Sequence, residues 1–279
     1  MSELASEPSG TGKAAPEWLA LREDADADAR ATELLDPLLA CLPDGPLVIR
    51  DLGCGTGANL RWLAPRLPGP QQWILHDHDA DLIAMAATTT VNTADGTPVT
   101  TRTDHSDLTR LRAADLASTS LVTASALLDL LTQDDVDSLA ETCVAAGCPA
   151  LLTLSVVGRV ELQPTDPLDA EIVAAFNDHQ RRAVPGRGRL LGPDAPDVAA
   201  AAFRCHGWEV RSAPSHWQLG GGQTALTARW LREWCAAAVE QRPDLVADVE
   251  DYLPRRMREC DAGRLRVTVH HMDLLAHGR

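Results

Sequence analysis

The feature that most constrains this chain is a set of three glycines at alternate positions, placed directly after an apolar run and an acid. Residues 47–49 form the apolar run, and Asp51 follows it. Gly53, Gly55 and Gly57 come next, before a helical pattern begins. Glycine adopts positive φ and lets the backbone approach a ligand closely, while free N–H groups at a helix start favour an anionic or electron-rich partner. The stretch therefore predicts a strand, a nucleotide-binding turn and a helix.

The string Asp51-x-Gly53-x-Gly55-x-Gly57 resembles motif I of the class I S-adenosylmethionine-dependent methyltransferases, which commonly reads D/E-x-G-x-G-x-G. The resemblance implies an α/β fold with a doubly wound, mostly parallel, seven-stranded sheet in the family strand order 3-2-1-4-5-7-6. It also implies S-adenosylmethionine as cofactor and S-adenosylhomocysteine as product. In that family the turn passes under the methionine and ribose parts of the cofactor. The expected contacts here are Asp51, Gly53, Cys54, Gly55, Gly57 and Asn59.

A second strand is predicted to end at Asp77, which lies 22 positions past Gly55. This distance is close to the ~20 residues expected for a ribose-binding acid, and a carboxylate can accept hydrogen bonds from both ribose hydroxyls. We therefore expect Asp77 and its neighbour His78 to contact the cofactor. Asp79 is predicted to be the N-cap of a helix over 80–88.

The third strand is predicted over the β-branched residues 97–103. In the resembled family, an acid after this strand accepts a hydrogen bond from the adenine amino group and is usually followed by a leucine. Asp107 with Leu108 fits that pattern better than Asp104 does. Either acid could instead be a turn or cap residue.

Three residues are candidates for a general base. Asp129 follows the predicted fourth strand, where the resembled family places residues that face the methyl group, although it could equally point into solvent. His179 lies in an irregular, arginine-bearing segment, and His216 lies near the predicted sixth strand. A neutral histidine has the pKa suited to accepting a proton at neutral pH, so both histidines rank above Asp129.

The first helical segment covers residues 16–42, and Pro37 is expected to kink or divide it. In the resembled family a helix before the first strand often covers the cofactor, and an arginine on it can meet the cofactor carboxylate. Arg30, or else Arg22, is expected in that role.

The chain is predicted to be a disordered tail over 1–15 followed by a single domain over 16–279. Lid elements are expected at 16–42, 158–193 and 220–260. The fifth strand is predicted over 150–157 and the last strand over 264–275. A helical pair broken at Pro243 is predicted over 224–252. Trp230 and Trp234 on this pair are four residues apart, which favours a core-facing side first and a substrate wall second.

Composition excludes several classes of function. The net charge is 25 − 40 = −15 and the isoelectric point is near 4.9, so a phosphate backbone would be repelled and nucleic acid is not an expected partner. The chain has one lysine, Lys13, whereas Walker A loops, pyridoxal enzymes and short-chain dehydrogenases each need a lysine in the site.

Seven cysteines form no C-x-x-C pair, which favours reduced thiols. No run of about 18 apolar residues appears, so no membrane partner is expected. The pair His76-x-His78 lacks the further ligands of a metallo-hydrolase motif, so no metal is expected. These features together favour a cytoplasmic protein.

The sequence thus predicts an S-adenosylmethionine-dependent methyltransferase that acts on the oxygen or nitrogen of a small molecule by in-line transfer without metal. Two alternatives stay open. Gly53-x-Gly55-x-x-Ala58 loosely satisfies the dinucleotide fingerprint, which would suit a nicotinamide-dependent reductase. A protein that binds S-adenosylmethionine without catalysis is the other alternative.

Overall fold

The structure is a computed structural model that describes residues 14–278, so the predicted tail over 1–15 lies almost wholly outside the described residues. In chain order the strands are β1 (Leu47–Leu52), β2 (Gln71–Asp77), β3 (Thr100–His105), β4 (Leu121–Ser125), β5 (Ala150–Gln163), β6 (Ala183–Val184), β7 (Gly188–Arg189), β8 (Glu209–Pro214), β9 (Trp217–Leu219) and β10 (Arg266–His277). The α-helices are α1 (Pro16–Ala29), α2 (Leu35–Cys41), α3 (Ala58–Leu63), α4 (Ala80–Ala87), α5 (Gln133–Ala146), α6 (Asp169–Gln180), α7 (Ala195–Cys205), α8 (Thr224–Gln241) and α9 (Val246–Asp261).

The main sheet runs in the order β3-β2-β1-β4-β5-β10-β8, and β10 is antiparallel to both of its neighbours. The pairs formed among β1 to β5 are all parallel. With β8 and β10 as the sixth and seventh strands, this confirms the predicted order 3-2-1-4-5-7-6. The chain moves from β1 outward in one direction to β2 and later returns to the other side at β4. Ligands of open α/β sheets bind at such a switch point.

Apolar clusters cover both faces of the sheet. Consecutive residues of β5 alternate between them, because Leu151 belongs to one cluster while Ala150 and Leu152 belong to the other. Helices α5 and α7 contribute to the cluster that contains Phe203. Helices α2, α3 and α4 contribute to the opposite cluster, which contains the fully buried Trp73. The central strands β1 and β4 are therefore buried on both sides, whereas the edge strand β3 is largely exposed.

The fifth strand is longer than the sequence predicts. It was expected to end at residue 157, but β5 continues to Gln163 because its second half pairs with the start of β10. The short strand β9 joins the other side of β10 through Val267 and Val269. This three-stranded extension carries a third apolar cluster, formed with α6, α8 and α9. Those helices fall in the segments expected to act as a lid, and that role stays a prediction.

Several element boundaries differ from the sequence expectations. The break in the N-terminal helical segment falls between α1 and a 3₁₀ turn at Thr32–Leu34, not at Pro37. Pro37 lies in the first turn of α2, where a backbone N–H would have no partner within the helix, so a proline is tolerated there. The third strand begins at Thr100 instead of residue 97, because residues 92 and 98 form an isolated bridge in the preceding loop. The second helix of the predicted pair runs on to Asp261, past the expected end at residue 252.

Over residues 14–278, no helix combines the length and the apolarity needed to cross a membrane.

Candidate active site

The glycine turn has the conformation that its sequence predicts. Gly53, Gly55 and Gly57 have φ values of 63°, 53° and 85°, all in the left-handed region. A Cβ atom on Gly53 would lie 3.1 Å from the Leu127 side chain, and one on Gly55 would lie 3.1 Å from the Leu19 side chain. The left-handed backbone conformation therefore favours glycine at both positions, and a side chain there would also press on a leucine. Leu19 belongs to α1, so the N-terminal helix lies against the turn.

Asp77 connects the end of β2 to this turn. One oxygen of its buried carboxylate accepts a hydrogen bond from the Gly55 N–H at 2.9 Å, and the other accepts one from the Asp79 N–H at 3.0 Å. Asp79 in turn caps α4 through a bond from the Asp81 N–H at 3.0 Å, as predicted. Each carboxylate oxygen has two lone pairs, so Asp77 keeps capacity for ribose hydroxyls. His78 lies 3.2 Å from the same carboxylate, and its side chain is 60% exposed.

Asp51 is buried beneath the turn with one oxygen unused. Its Oδ1 accepts a hydrogen bond from Asn59 Nδ2 at 2.9 Å, whereas its Oδ2 has no partner among the residues described. Burial raises the pKa of Asp51 to about 7. Asn59 is also buried and donates to Thr123 Oγ1 at 3.0 Å, so here it orients the acid from below. Cys54 is buried as well, and its N–H donates to the His76 carbonyl at 3.0 Å.

Of the two arginines considered for the cofactor carboxylate, Arg30 has buried donors without a partner among residues 14–278, whereas Arg22 is held by a carboxylate. Arg30 is 4% exposed and donates through Nη2 to Ser125 Oγ at 3.0 Å. Its Nε and Nη1 atoms have no partner within residues 14–278. Arg22 instead makes a bidentate pair with Asp26 at 2.9 and 3.1 Å. The geometry therefore favours Arg30 as the arginine free to bind an anion.

The two acids after β3 have different partners. Asp104 pairs with the buried Arg50 at 2.6 Å, so it is already used within the fold. Asp107 is exposed and caps the 3₁₀ turn at Leu108–Arg110, accepting hydrogen bonds from the N–H and Oγ1 of Thr109 at 3.0 and 2.8 Å. Asp107 therefore acts as a cap, which was the alternative considered for it. The contact of Asp107 and Leu108 with adenine stays a prediction.

A cavity of about 280 Å³ lies beyond the end of β4, between α1, α6 and α8. Two of the three candidate bases, Asp129 and His179, line it together. Trp18, Phe176, Trp230 and Trp234 give the cavity aromatic walls. The indoles of the tryptophan pair on α8 belong to the third apolar cluster, as the core-facing interpretation predicts, and they also line the cavity. Their role as a substrate wall stays a prediction.

The pKa values of the two candidate bases that line the cavity are shifted from their ordinary values. Burial raises the pKa of the Asp129 carboxyl above its ordinary value. Burial lowers the pKa of the His179 imidazole, and the nearby Arg182 lowers it further, although Glu240 lies 3.4 Å from its Nε2 atom. A neutral imidazole beside a carboxyl group that accepts protons readily is a suitable arrangement for proton removal.

His216 lies elsewhere. It sits between β8 and β9, with its ring centroid 4.3 Å from that of His270, and it is not among the residues that line the cavity. His270 lies 3.4 Å from Glu161 on the extended part of β5. The structure therefore brings Asp129 and His179 together and separates His216 from them. Among residues 14–278, no three His, Cys, Asp or Glu side chains converge in a way that could hold a metal ion.

One residue of the site region was missed by sequence reasoning. Asp273 on β10 is 1% exposed and accepts hydrogen bonds from the Ala31 N–H at 2.9 Å, the Leu154 N–H at 2.7 Å and Ser215 Oγ at 2.5 Å. Leu154 has a φ of 56°, which is unusual for a residue other than glycine. Asp273 thus holds the residue after Arg30 against the sheet. The signal in the sequence is an acid directly between Met272 and the apolar run 274–276.

Comparison with known proteins agrees with this geometry. Residues 49–147 match a family model described as a methyltransferase domain. Among curated proteins, none matches the chain significantly.

Solved structures with a similar course of the chain include three bacterial proteins. A putative type II methyltransferase from Anaeromyxobacter dehalogenans is 16% identical, with 90% of this chain and 97% of that chain covered and a TM-score of 0.49. The YcgJ protein from Bacillus subtilis is 12% identical, with 89% and 99% covered and a TM-score of 0.46. The cyclopropane synthase MmaA2 from Mycobacterium tuberculosis is 14% identical, with 88% and 83% covered and a TM-score of 0.45. Because these TM-scores lie below 0.5, nothing about the substrate of this chain follows from the three proteins.

The family match covers β1 to α5, the part of the chain that carries the glycine turn, Asp51 and Asp77. The sheet order around it is the one that the family resemblance implies. Residues 49–147 therefore carry a methyltransferase domain, and the sheet around them has the strand order of the class I S-adenosylmethionine-dependent methyltransferases.

Proposed function

We propose that this domain methylates the oxygen or nitrogen of a small molecule held in the cavity beyond β4. The observation that supports this most strongly is the position of the cavity. Asp129, which follows β4, lines it, and Arg30 bonds to Ser125 at the end of the same strand. A volume of about 280 Å³ suits a small metabolite better than a polymer segment.

The residues around the glycine turn fit S-adenosylmethionine by their unused groups. The free Nε and Nη1 of Arg30 suit the cofactor carboxylate, and the unpaired Oδ2 of Asp51 suits its ammonium group. Asp77 would take the ribose hydroxyls, and Asp107 would take the adenine amino group. When bound, S-adenosylmethionine supplies an activated methyl group on a sulfonium sulfur.

The protein groups then hold the acceptor in line and exclude water. Trp18 on α1 and the indoles of α8 close the cavity around the acceptor, and such positioning contributes up to roughly 7–11 kcal/mol in favourable cases. His179 or Asp129 takes the acceptor proton when one must leave. His216 has no part in this proposal, because it lies outside the cavity.

The test is alanine substitution of the three candidates with cofactor affinity measured separately. If His179 is the base, His179→Ala should lower kcat by about 10²-fold or more, and if Asp129 is the base, Asp129→Ala should do so, since general acid–base catalysis contributes about 10²–10⁴-fold. The S-adenosylhomocysteine affinity of both variants should stay within about twofold of wild type. His216→Ala is the matched control and should keep wild-type kcat. Equal kcat for all three variants would show that positioning alone carries the reaction.

A further inference from the structure

The walls of the cavity are electron-rich aromatic faces. Trp230 and Trp234 stack with ring centroids 5.0 Å apart and an interplanar angle of 16°, and they are 8% and 1% exposed. Trp18 closes the opposite side from α1. Indole faces carry negative potential and attract cations within about 6 Å of the ring centroid. Trp18 already receives such cations, because the guanidinium groups of Arg229 and Arg22 lie 5.3 and 5.9 Å from its ring centroid.

Within residues 14–278, one carboxylate that lines the cavity has no ion-pair partner. Glu233 pairs with Arg229 at 2.9 Å, so its charge is compensated. Asp129 makes no ion pair and no hydrogen bond with another side chain in the described part of the chain, and Arg22 and Arg182 act on it only at longer range. Arg182 is exposed at the rim, where its Nη1 donates to the His179 carbonyl at 3.3 Å. The interior of the cavity thus combines indole faces with one uncompensated acid.

This combination is suited to an ammonium ion. Indole faces and a half-buried carboxylate both stabilise a cation, and a carboxylate forms charge-assisted hydrogen bonds with N–H donors. An anionic acceptor would lie beside the Asp129 carboxylate and would be repelled by a chain of net charge −15. A neutral alcohol would leave the Asp129 charge uncompensated.

We propose that the acceptor of this domain is a small amine, which enters the cavity as an ammonium ion, pairs with Asp129 and lies against the indoles of Trp18, Trp230 and Trp234. This inference rests on the proposed function, because it assigns a substrate class to the same cavity.

The transfer balances with the groups present. The ammonium nitrogen first gives one proton to the Asp129 carboxylate, which leaves a neutral amine with a free electron pair. That pair forms the new bond to the methyl carbon, the carbon–sulfur bond breaks, and its electrons stay on sulfur to give neutral S-adenosylhomocysteine. The nitrogen regains its positive charge as the methylated ammonium product. Asp129 then returns its proton to solvent.

The experiment compares three matched probe pairs, tryptamine with tryptophol, phenethylamine with phenethyl alcohol, and benzylamine with benzyl alcohol. Binding to the full chain saturated with S-adenosylhomocysteine is measured by calorimetry. We expect at least one amine to bind, and each amine that binds to do so at least about tenfold more tightly than its alcohol. Asp129→Asn should remove this preference, and the exposed Asp134→Asn should retain it. Trp230→Phe should weaken amine binding and leave alcohol binding unchanged.

The proposal is overturned if no amine binds, if an alcohol binds as tightly as its amine, or if Asp129→Asn keeps the preference. Product analysis with S-adenosylmethionine separates this inference from the proposed function. Methylation of a hydroxyl acceptor without amine preference would support the function and contradict the inference. Selective amine binding in a protein that methylates no small molecule would support the inference about the cavity and contradict the function.

Discussion

At the scale of single residues, the site depends on acids and one arginine whose hydrogen-bonding capacity is only partly used. Asp77 accepts a hydrogen bond from the Gly55 N–H at 2.9 Å, and Asp51 and Arg30 have atoms without partners in the part of the chain that the structure describes. Buried polar atoms without partners are costly in a folded protein, so their occurrence around one turn points to a ligand that completes them.

Replacing Asp77 tests its assignment to the ribose. Asp77→Asn removes the charge and one acceptor, so S-adenosylhomocysteine should bind about tenfold or more weakly, since hydrogen bonds to charged groups contribute about 1.5–3 kcal/mol. Asp81 is exposed and lies at the start of α4. The control variant Asp81→Asn should bind S-adenosylhomocysteine within twofold of wild type. Calorimetry checks both variants. Unchanged affinity in Asp77→Asn would remove the ribose assignment.

Arg30 can be tested with two ligands that differ at one end. Arg30→Met keeps the length of the side chain and removes the guanidinium, so S-adenosylhomocysteine should bind about tenfold or more weakly. Methylthioadenosine has no carboxylate, and its affinity should be the same for wild type and variant. If the affinity for both ligands falls by the same factor, Arg30 supports the fold of the site without contacting the cofactor carboxylate.

The raised pKa of Asp51 predicts that the stability of the ligand-free protein depends on pH. Burial raises its pKa from 3.8 to about 7, so the folded state binds more protons than the unfolded state between these values. Stability contributed by Asp51 is therefore present at low pH and lost as pH rises through about 7. Urea unfolding at pH 4.5 and 7.5 should show wild type losing stability relative to Asp51→Asn as the pH rises. A difference that is constant, or that grows in the opposite direction, would contradict the shifted pKa.

At the scale of elements, the sequence predicted best what local patterns determine. The glycine turn and the Asp79 cap follow from residues adjacent in the chain, and the structure has them as expected. The three-stranded extension was missed because its cause is the pairing of residues about a hundred positions apart, such as Leu162 with Val267. The aromatic cavity depends on the same long-range packing, since it joins Trp18 to α6 and α8.

Asp273 connects elements that come together only in the folded chain. Asp273→Asn brings an amide donor against the N–H groups of Ala31 and Leu154 and the Ser215 hydroxyl, so one donor is left unpaired. The expected loss is about 1–3 kcal/mol of unfolding free energy, together with weaker S-adenosylhomocysteine binding through the displaced Arg30. Urea unfolding and calorimetry check this, with the exposed Asp261→Asn as control. Wild-type values in both measurements would show that the three contacts are dispensable.

At the scale of the whole molecule, the architecture separates two tasks. The parallel half of the sheet places the ends of β1, β2 and β4 side by side, where the proposed cofactor site lies. The antiparallel extension and its helices form a separate apolar cluster that supplies walls of the acceptor cavity. The position of the proposed cofactor site could be predicted from sequence motifs, because the ends of parallel strands meet at one edge of the sheet. The walls of the cavity could be identified only in the structure.

The most direct test of the account is transfer of a labelled methyl group. The purified chain is incubated with S-adenosylmethionine carrying a deuterated methyl group and the small-molecule fraction of a cell extract, and all products are followed by mass spectrometry. The account predicts S-adenosylhomocysteine and one deuteromethylated small molecule in equal amounts, both lost in Asp77→Asn under subsaturating cofactor. Binding of S-adenosylhomocysteine without any labelled product, or label found only in protein or nucleic acid after those fractions are added, would contradict it.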